Sequence, residues 1–139
     1  MKKFIVLLFL GCCSSFPVYS DARSDIMTVM DCFFKWDKFG GEETGKQCIS
    51  QNVLYHRVNS NGEHVTNTPP LDFKGKGNES YEYNLLDIDV FDNMATVRAL
   101  IRYNPQSEDN TYMKTYVLYR VNAGWRVTNV FWGRVTPKH

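Results

Sequence analysis

Neither sign of charge dominates this chain. Its 139 residues carry 16 Lys and Arg against 15 Asp and Glu, so no basic stripe exists to follow a nucleic-acid backbone, and nucleic acid is not an expected partner. Long apolar runs are also missing. The longest, Phe4 to Leu10, is too short for a membrane span. Histidine occurs three times, as His56, His64 in a polar turn region and His139 at the terminus, so a three-histidine metal site is not expected. Phosphate-cradle glycines are missing too: Lys74-Gly75-Lys76-Gly77 alternates the right residue types without the Gly-x-x-x-x-Gly-Lys-Ser/Thr spacing, and 67–81 reads as a surface loop. No Ser/His/Asp or Cys/His nucleophile arrangement can be drawn. No metal or organic cofactor is expected.

The N-terminus has the form of a processing signal. Lys2-Lys3 precedes the apolar run, and Val18-Tyr19-Ser20 supplies small-residue cleavage chemistry before Asp21. Residues 1–20 therefore read as a signal peptide and 21–139 as one domain, exported to a periplasm or secreted. Leu10-Gly11-Cys12 also sits where a lipoprotein signal places its acylated cysteine, with Phe9 out of place for one, so a lipid anchor at Cys12 is the alternative. Cleavage leaves Cys32 and Cys48. In an oxidising compartment these two suggest a disulfide pinning neighbouring elements; the other reading is a pair of buried free thiols.

At this length, with 43% hydrophobic and 14% aromatic residues, the mature chain can bury a core of its own. Ile26, Val29, Met30, Phe33 and Trp36 recur at three- and four-residue steps, which predicts an amphipathic helix over 25–39 with Ser24 or Asp25 as N-cap. Asp37 falls on the apolar side of that helix, one turn before Gly40-Gly41 stops it. It is either a last-turn residue emerging into solvent or a carboxylate at the mouth of an apolar pocket. A short helix over 42–49 and a strand over 52–58 follow. The strand alternation puts Tyr55 and His56 on opposite faces, so only one of them can look inward.

Four more segments, 85–91, 95–103, 111–120 and 125–134, are rich in β-branched and aromatic residues. Turn chemistry at Asp92-Asn93, Asn104-Pro105 and Asn122-Ala123-Gly124 separates them, which predicts an antiparallel meander. Pairing across Asp92-Asn93 brings Asp87 to Arg98. Pairing across the last turn sets Leu118 opposite Val127 and Tyr116 opposite Asn129. The middle loop leaves the facing of 111–120 open.

The order of these pieces, with Asn52-Val53-Leu54-Tyr55-His56, Ile88-Asp89-Val90, Asp92-Asn93-Met94-Ala95-Thr96-Val97 and Gly124-Trp125-Arg126-Val127, resembles the nuclear transport factor 2-like (NTF2-like) superfamily over about residues 24–135. More narrowly it is similar to the SnoaL-like and lumazine-binding branches. The resemblance implies an α+β cone, a curved antiparallel sheet wrapped around the long helix with a cavity between, often dimeric through the sheet. It also implies sites where burial tunes acid and base side chains. His56 matches the histidine after the strand aromatic in SnoaL-like proteins, and Asp37 is the candidate that would act with it. Lys114 departs from the pattern, standing near where the lumazine-binding branch carries an Asp.

Three readings follow. One is a binding module whose pocket, lined by Phe33, Trp36, Tyr55, Tyr116, Asn129 and Phe131, holds a small apolar or heteroaromatic molecule, or whose sheet binds a protein. Another is a cofactor-independent isomerase, dehydratase or hydrolase using His56 and Asp37. In the third, side chains fill the cone and leave an interaction scaffold.

Overall fold

The structure is a computed structural model that describes residues 19–59, 61–76, 81–103, 111–122 and 124–135. Residues 1–18 of the expected leader, with the Cys12 anchor site, lie outside these residues, and Tyr19 and Ser20 fall in the first helix. Two helices come first, α1 (Tyr19–Phe39) and α2 (Glu42–Cys48). Six strands follow: β1 (Ile49–Val58), β2 (His64–Asn67), β3 (Tyr81–Phe91), β4 (Met94–Tyr103), β5 (Thr111–Val121) and β6 (Gly124–Arg134).

The helix begins six residues before Asp25. Ser24 lies inside it, its carbonyl accepting from the Thr28 hydroxyl at 3.1 Å, instead of capping its end. The predicted apolar stripe holds: Ile26, Met30, Phe33 and Trp36 are fully buried. It packs on the sheet, with contacts to β6 and β3. No described helix is long and apolar enough to cross a membrane.

All six strands join one sheet in the order β2-β1-β6-β5-β4-β3. The meander β3 to β6 is antiparallel as expected, and Asp87 pairs with Arg98, whose Nε donates to Oδ1 at 2.9 Å. The sheet as a whole is mixed, however. β1 lies parallel to β6, because the β1–β2 hairpin, formed early in the chain, adds to the free edge of the last strand. A parallel neighbour needs a long connection, and here the whole meander supplies it.

A second correction is smaller in size and larger in effect. Leu118 faces Val127 as predicted, but Val117 then faces Asn129 and Tyr116 faces Val130. Thr128 is the extra residue of a β-bulge, its hydroxyl donating to the Val117 carbonyl at 3.1 Å. Since side chains alternate with period two, one inserted residue moves everything after it to the opposite face.

The segment read as a surface loop is docked at its centre. Gly41 N–H donates to the Phe73 carbonyl at 3.0 Å and Lys76 N–H to the Asp37 carbonyl at 3.2 Å. Gly40 (φ 72°) and Gly75 (φ 77°) face each other at this crossing, and a Cβ on Gly40 would overlap the Phe73 carbonyl oxygen. Two backbones meet there because neither glycine carries a side chain.

Candidate ligand-binding site

The docked loop, the end of α1 and side chains of β1, β2, β4, β5 and β6 line a half-open cavity of about 580 Å³. Aromatic rings form much of its wall. Trp36 meets Phe73 with centroids 5.4 Å apart, and Tyr103, Tyr112 and Trp132 form a chain of edge contacts at 5.6 and 5.4 Å. Trp36 is held in place by donating its indole N–H to the Leu71 carbonyl at 3.3 Å. Gly45 leaves room for it, since a Cβ there would come within 2.8 Å of that nitrogen.

Polar groups converge on one side of this wall. Asp37 is 2% exposed and Lys114 3% exposed, while every other fully buried residue is apolar, aromatic or cysteine among those described. The Asp37 carboxylate accepts from Lys76 Nζ at 3.2 Å and lies 3.9 Å from Lys114 Nζ. Lys114 in turn donates to the Tyr103 hydroxyl at 2.8 Å, and Lys76 Nζ contacts the same hydroxyl. A lone buried ammonium would be very costly, so the carboxylate and phenol are what make Lys114 tolerable.

Burial nevertheless holds the Lys114 ammonium down to about 8 against its ordinary 10.5; the Asp37 charge opposes the drop and neighbouring Lys76 adds to it. Tyr55 also lines the cavity, and its buried hydroxyl finds no hydrogen-bond partner among the described residues. Burial first, then the nearby Asp37 charge, pushes that phenol well above its ordinary range.

The residues nominated from sequence divide into three groups. Asp37, Trp36 and Tyr55 do line the cavity. Phe33 and Tyr116 do not; both are fully buried one layer behind it, their rings 5.1 Å apart, with Phe33 backing Trp36 at 5.9 Å. Between α1 and the sheet the Phe33–Tyr116 layer is thus filled by side chains, and the open space lies in front of Trp36.

His56, Asn129 and Phe131 form a third group on the other face of the sheet. The Asn129 amide donates to His56 Nε2 at 3.1 Å, and the His56 ring stacks on Phe131 at 4.4 Å, with Phe131 42% exposed. His56 Nδ1 lies 3.3 Å from both His64 Nε2 and the Thr66 hydroxyl. The strand alternation explains His56 and the bulge at Thr128 explains Asn129 and Phe131. His56 and Asp37 are therefore on opposite sides of the sheet and cannot share a substrate. No cluster of three or more His, Cys, Asp or Glu among the described residues could hold a metal.

Cys32 and Cys48 are free thiols in this structure, not the expected bridge. Both donate to one acceptor, the Thr44 carbonyl, at 3.4 and 3.2 Å. Burial raises the Cys48 thiol far above its ordinary range, and the nearby Cys32 adds to this.

Lys114, Lys76, Tyr103, Tyr112, Phe73 and Trp132 were not among the nominated site residues. A period-two reading back from Leu118 places Tyr116, Lys114 and Tyr112 on one face, which was the available signal for two of them. Trp132 needed the bulge, and Lys76 and Phe73 needed the docked loop.

No family profile matches the sequence, and no curated protein matches it. Solved structures do. An NTF2-like protein of unknown function from Shewanella baltica superposes with a TM-score of 0.69 at 12% identity, covering 87% of this chain and 99% of that one. One from Methylobacillus flagellatus, also of unknown function, gives 0.67 at 15% identity, covering 88% and 98%. An NTF2-like superfamily protein from Salmonella enterica serovar Typhimurium gives 0.61 at 19% identity, covering 88% and 96%. At such identities it is the architecture that is shared. A long N-terminal helix against a mixed six-stranded sheet, matched over nearly the full length of these proteins, is the nuclear transport factor 2-like fold.

Proposed function

We propose that the cavity binds a small molecule with a flat apolar or heteroaromatic body and an acceptor-rich polar end. The carrying observation is the pairing of an aromatic wall with one convergent polar cluster, Lys114, Lys76, Asp37 and Tyr103. A pocket of this size suits a small ligand, and apolar walls with few placed polar groups are how such pockets combine affinity with orientation. Two lysines against one carboxylate leave net positive charge, so a carboxylate or carbonyl oxygen is the polar end that complements them. The unpartnered Tyr55 hydroxyl offers a further donor to the ligand.

The same reading places the protein outside the cytoplasm on the strength of its leader. It sets the chain beside the SnoaL-like and lumazine-binding branches on the strength of motif order. Binding is tested by screening aromatic and heteroaromatic acids and ketones for thermal stabilisation, with quenching of Trp36 and Trp132 fluorescence as the second readout. A ligand at about a hundred times its dissociation constant should add roughly 2.7 kcal/mol of stability. If no compound in the screen raises the melting temperature or quenches tryptophan, the proposal fails.

A further inference from the structure

We infer that Lys114 is a nucleophile that condenses reversibly with the carbonyl carbon of an aldehyde or ketone held in the cavity, with Tyr103 and Lys76 handling the protons. The inference rests on the ligand-binding reading of the same cavity and names a substrate class for it: small aromatic or apolar carbonyl compounds.

The geometry has the parts that amine chemistry requires. A nucleophilic lysine must reach a substrate, lose its proton near neutral pH and have a proton donor for the departing oxygen. Lys114 lines the cavity with its side chain 3% exposed, on a strand whose register sets it opposite Trp132. A lysine becomes a usable nucleophile when it is desolvated in an apolar pocket or set beside a second cation. Lys114 has both, with Lys76 contacting the same Tyr103 hydroxyl. These two influences hold its ammonium at about 8, so a useful fraction is free amine in mildly alkaline solution.

The step balances without an oxidant or reductant. The Lys114 Nζ lone pair forms a bond to the carbonyl carbon, and the carbonyl π electrons move to oxygen. That oxygen takes a proton from the Tyr103 hydroxyl, which is resupplied by the Lys76 ammonium. The proton on the new C–N nitrogen passes to the Lys76 amine left by that transfer, Lys76 returns it through Tyr103 to the new hydroxyl, which leaves as water, and the nitrogen lone pair closes the C=N bond. The products are a protonated imine, one water and the neutral Lys76 amine. Protonated, the imine is a cation, and the Asp37 carboxylate, 3.9 Å from Nζ, is placed to balance it.

The test uses the full chain, naphthaldehyde as probe and cyanoborohydride to reduce any imine to a stable secondary amine, followed by peptide mapping. Naphthylmethanol, which has no carbonyl, reports binding separately through tryptophan quenching. The expected result is an adduct on Lys114 formed at least ~10-fold faster than on exposed Lys35 or Lys46, with the rate rising from about pH 6 to about pH 9 as the amine is freed. Excess naphthylmethanol protects it. Lys76→Met, altering a partly exposed side chain, moves the rate profile to higher pH without removing the adduct. If naphthylmethanol binds but labelling spreads over surface lysines, the inference is overturned and the binding reading stands. If naphthylmethanol does not bind and Lys114 is not preferred, the inference is overturned, and the binding reading falls with it when no acid or ketone in the screen binds either.

Discussion

Lys114 Nζ lies 3.9 Å from the Asp37 carboxylate with both side chains 3% exposed, a buried pair joining the fifth strand to the last turn of the long helix. Removing one partner leaves the other charge uncompensated. Asp37→Asn should therefore destabilise the fold by about 3 kcal/mol. The double variant Asp37→Leu with Lys114→Met should recover much of that loss. Urea midpoints at constant m-value measure both.

The same pair sets a pH dependence. Folding lowers the Lys114 ammonium from 10.5 to about 8, so between these values the unfolded chain holds the proton and the folded one does not. Stability then rises with pH across that window, and the burial cost is fully present below about pH 8. The slope should approach about 1.4 kcal/mol per pH unit for this group alone. Tyr55, whose phenol is raised by burial, opposes the trend above the ordinary tyrosine range, because there the unfolded chain ionises first. Subtracting the stability curve of Lys114→Met from that of the parent isolates the lysine; a flat difference between about pH 8 and 10 would count against its depressed titration.

How much of this was visible beforehand can be judged at single residues. Asp37 falls on the apolar side of its helix because the 3.6-residue period of Ile26, Met30, Phe33 and Trp36 fixes the angle of the residues that continue it, but periodicity alone left open whether a last-turn side chain stays in or emerges into solvent. Asp87 and Arg98 were paired because a two-residue turn sets register directly. Asn129 and Phe131 were misplaced by a single inserted residue, Thr128, which no local propensity announces. Lys76 was hidden for a different reason: its position follows from Gly40 meeting Gly75, a contact between segments far apart in sequence. The local periods were legible and the long-range coincidences were not.

Gly40→Ala tests that crossing. The new Cβ would overlap the Phe73 carbonyl at a φ of 72°, so the docked loop must shift and carry Lys76 away from Asp37. A loss of roughly 2–3 kcal/mol is expected, with weakened ligand binding. Gly62→Ala, at φ 80° with nothing within 4 Å, should cost only about 1 kcal/mol and leave binding intact. Denaturation and tryptophan quenching of the two variants separate close approach from backbone strain.

The two thiols that share the Thr44 carbonyl make a fourth prediction. Exposure to oxidised glutathione should join Cys32 to Cys48, with loss of two hydrogens by mass and a gain of about 3 kcal/mol that dithiothreitol reverses. Because burial keeps Cys48 protonated, the reaction should begin at the half-buried Cys32 and proceed slowly. Mixed disulfide found only on Cys32, with no intramolecular bond, would argue against it.

The parallel pairing of β1 with β6 also has a kinetic consequence. β6, which follows the other described strands in the chain, occupies an interior position, with the β1–β2 hairpin waiting on it from one side and β5 from the other. Until residue 134 or so is available, the early half has no partner to close against and its edge stays open to other chains. Contacts spanning such a separation slow the search for the native arrangement, so a chain cut after Asn129, within β6, should accumulate as aggregate and not as a smaller folded protein.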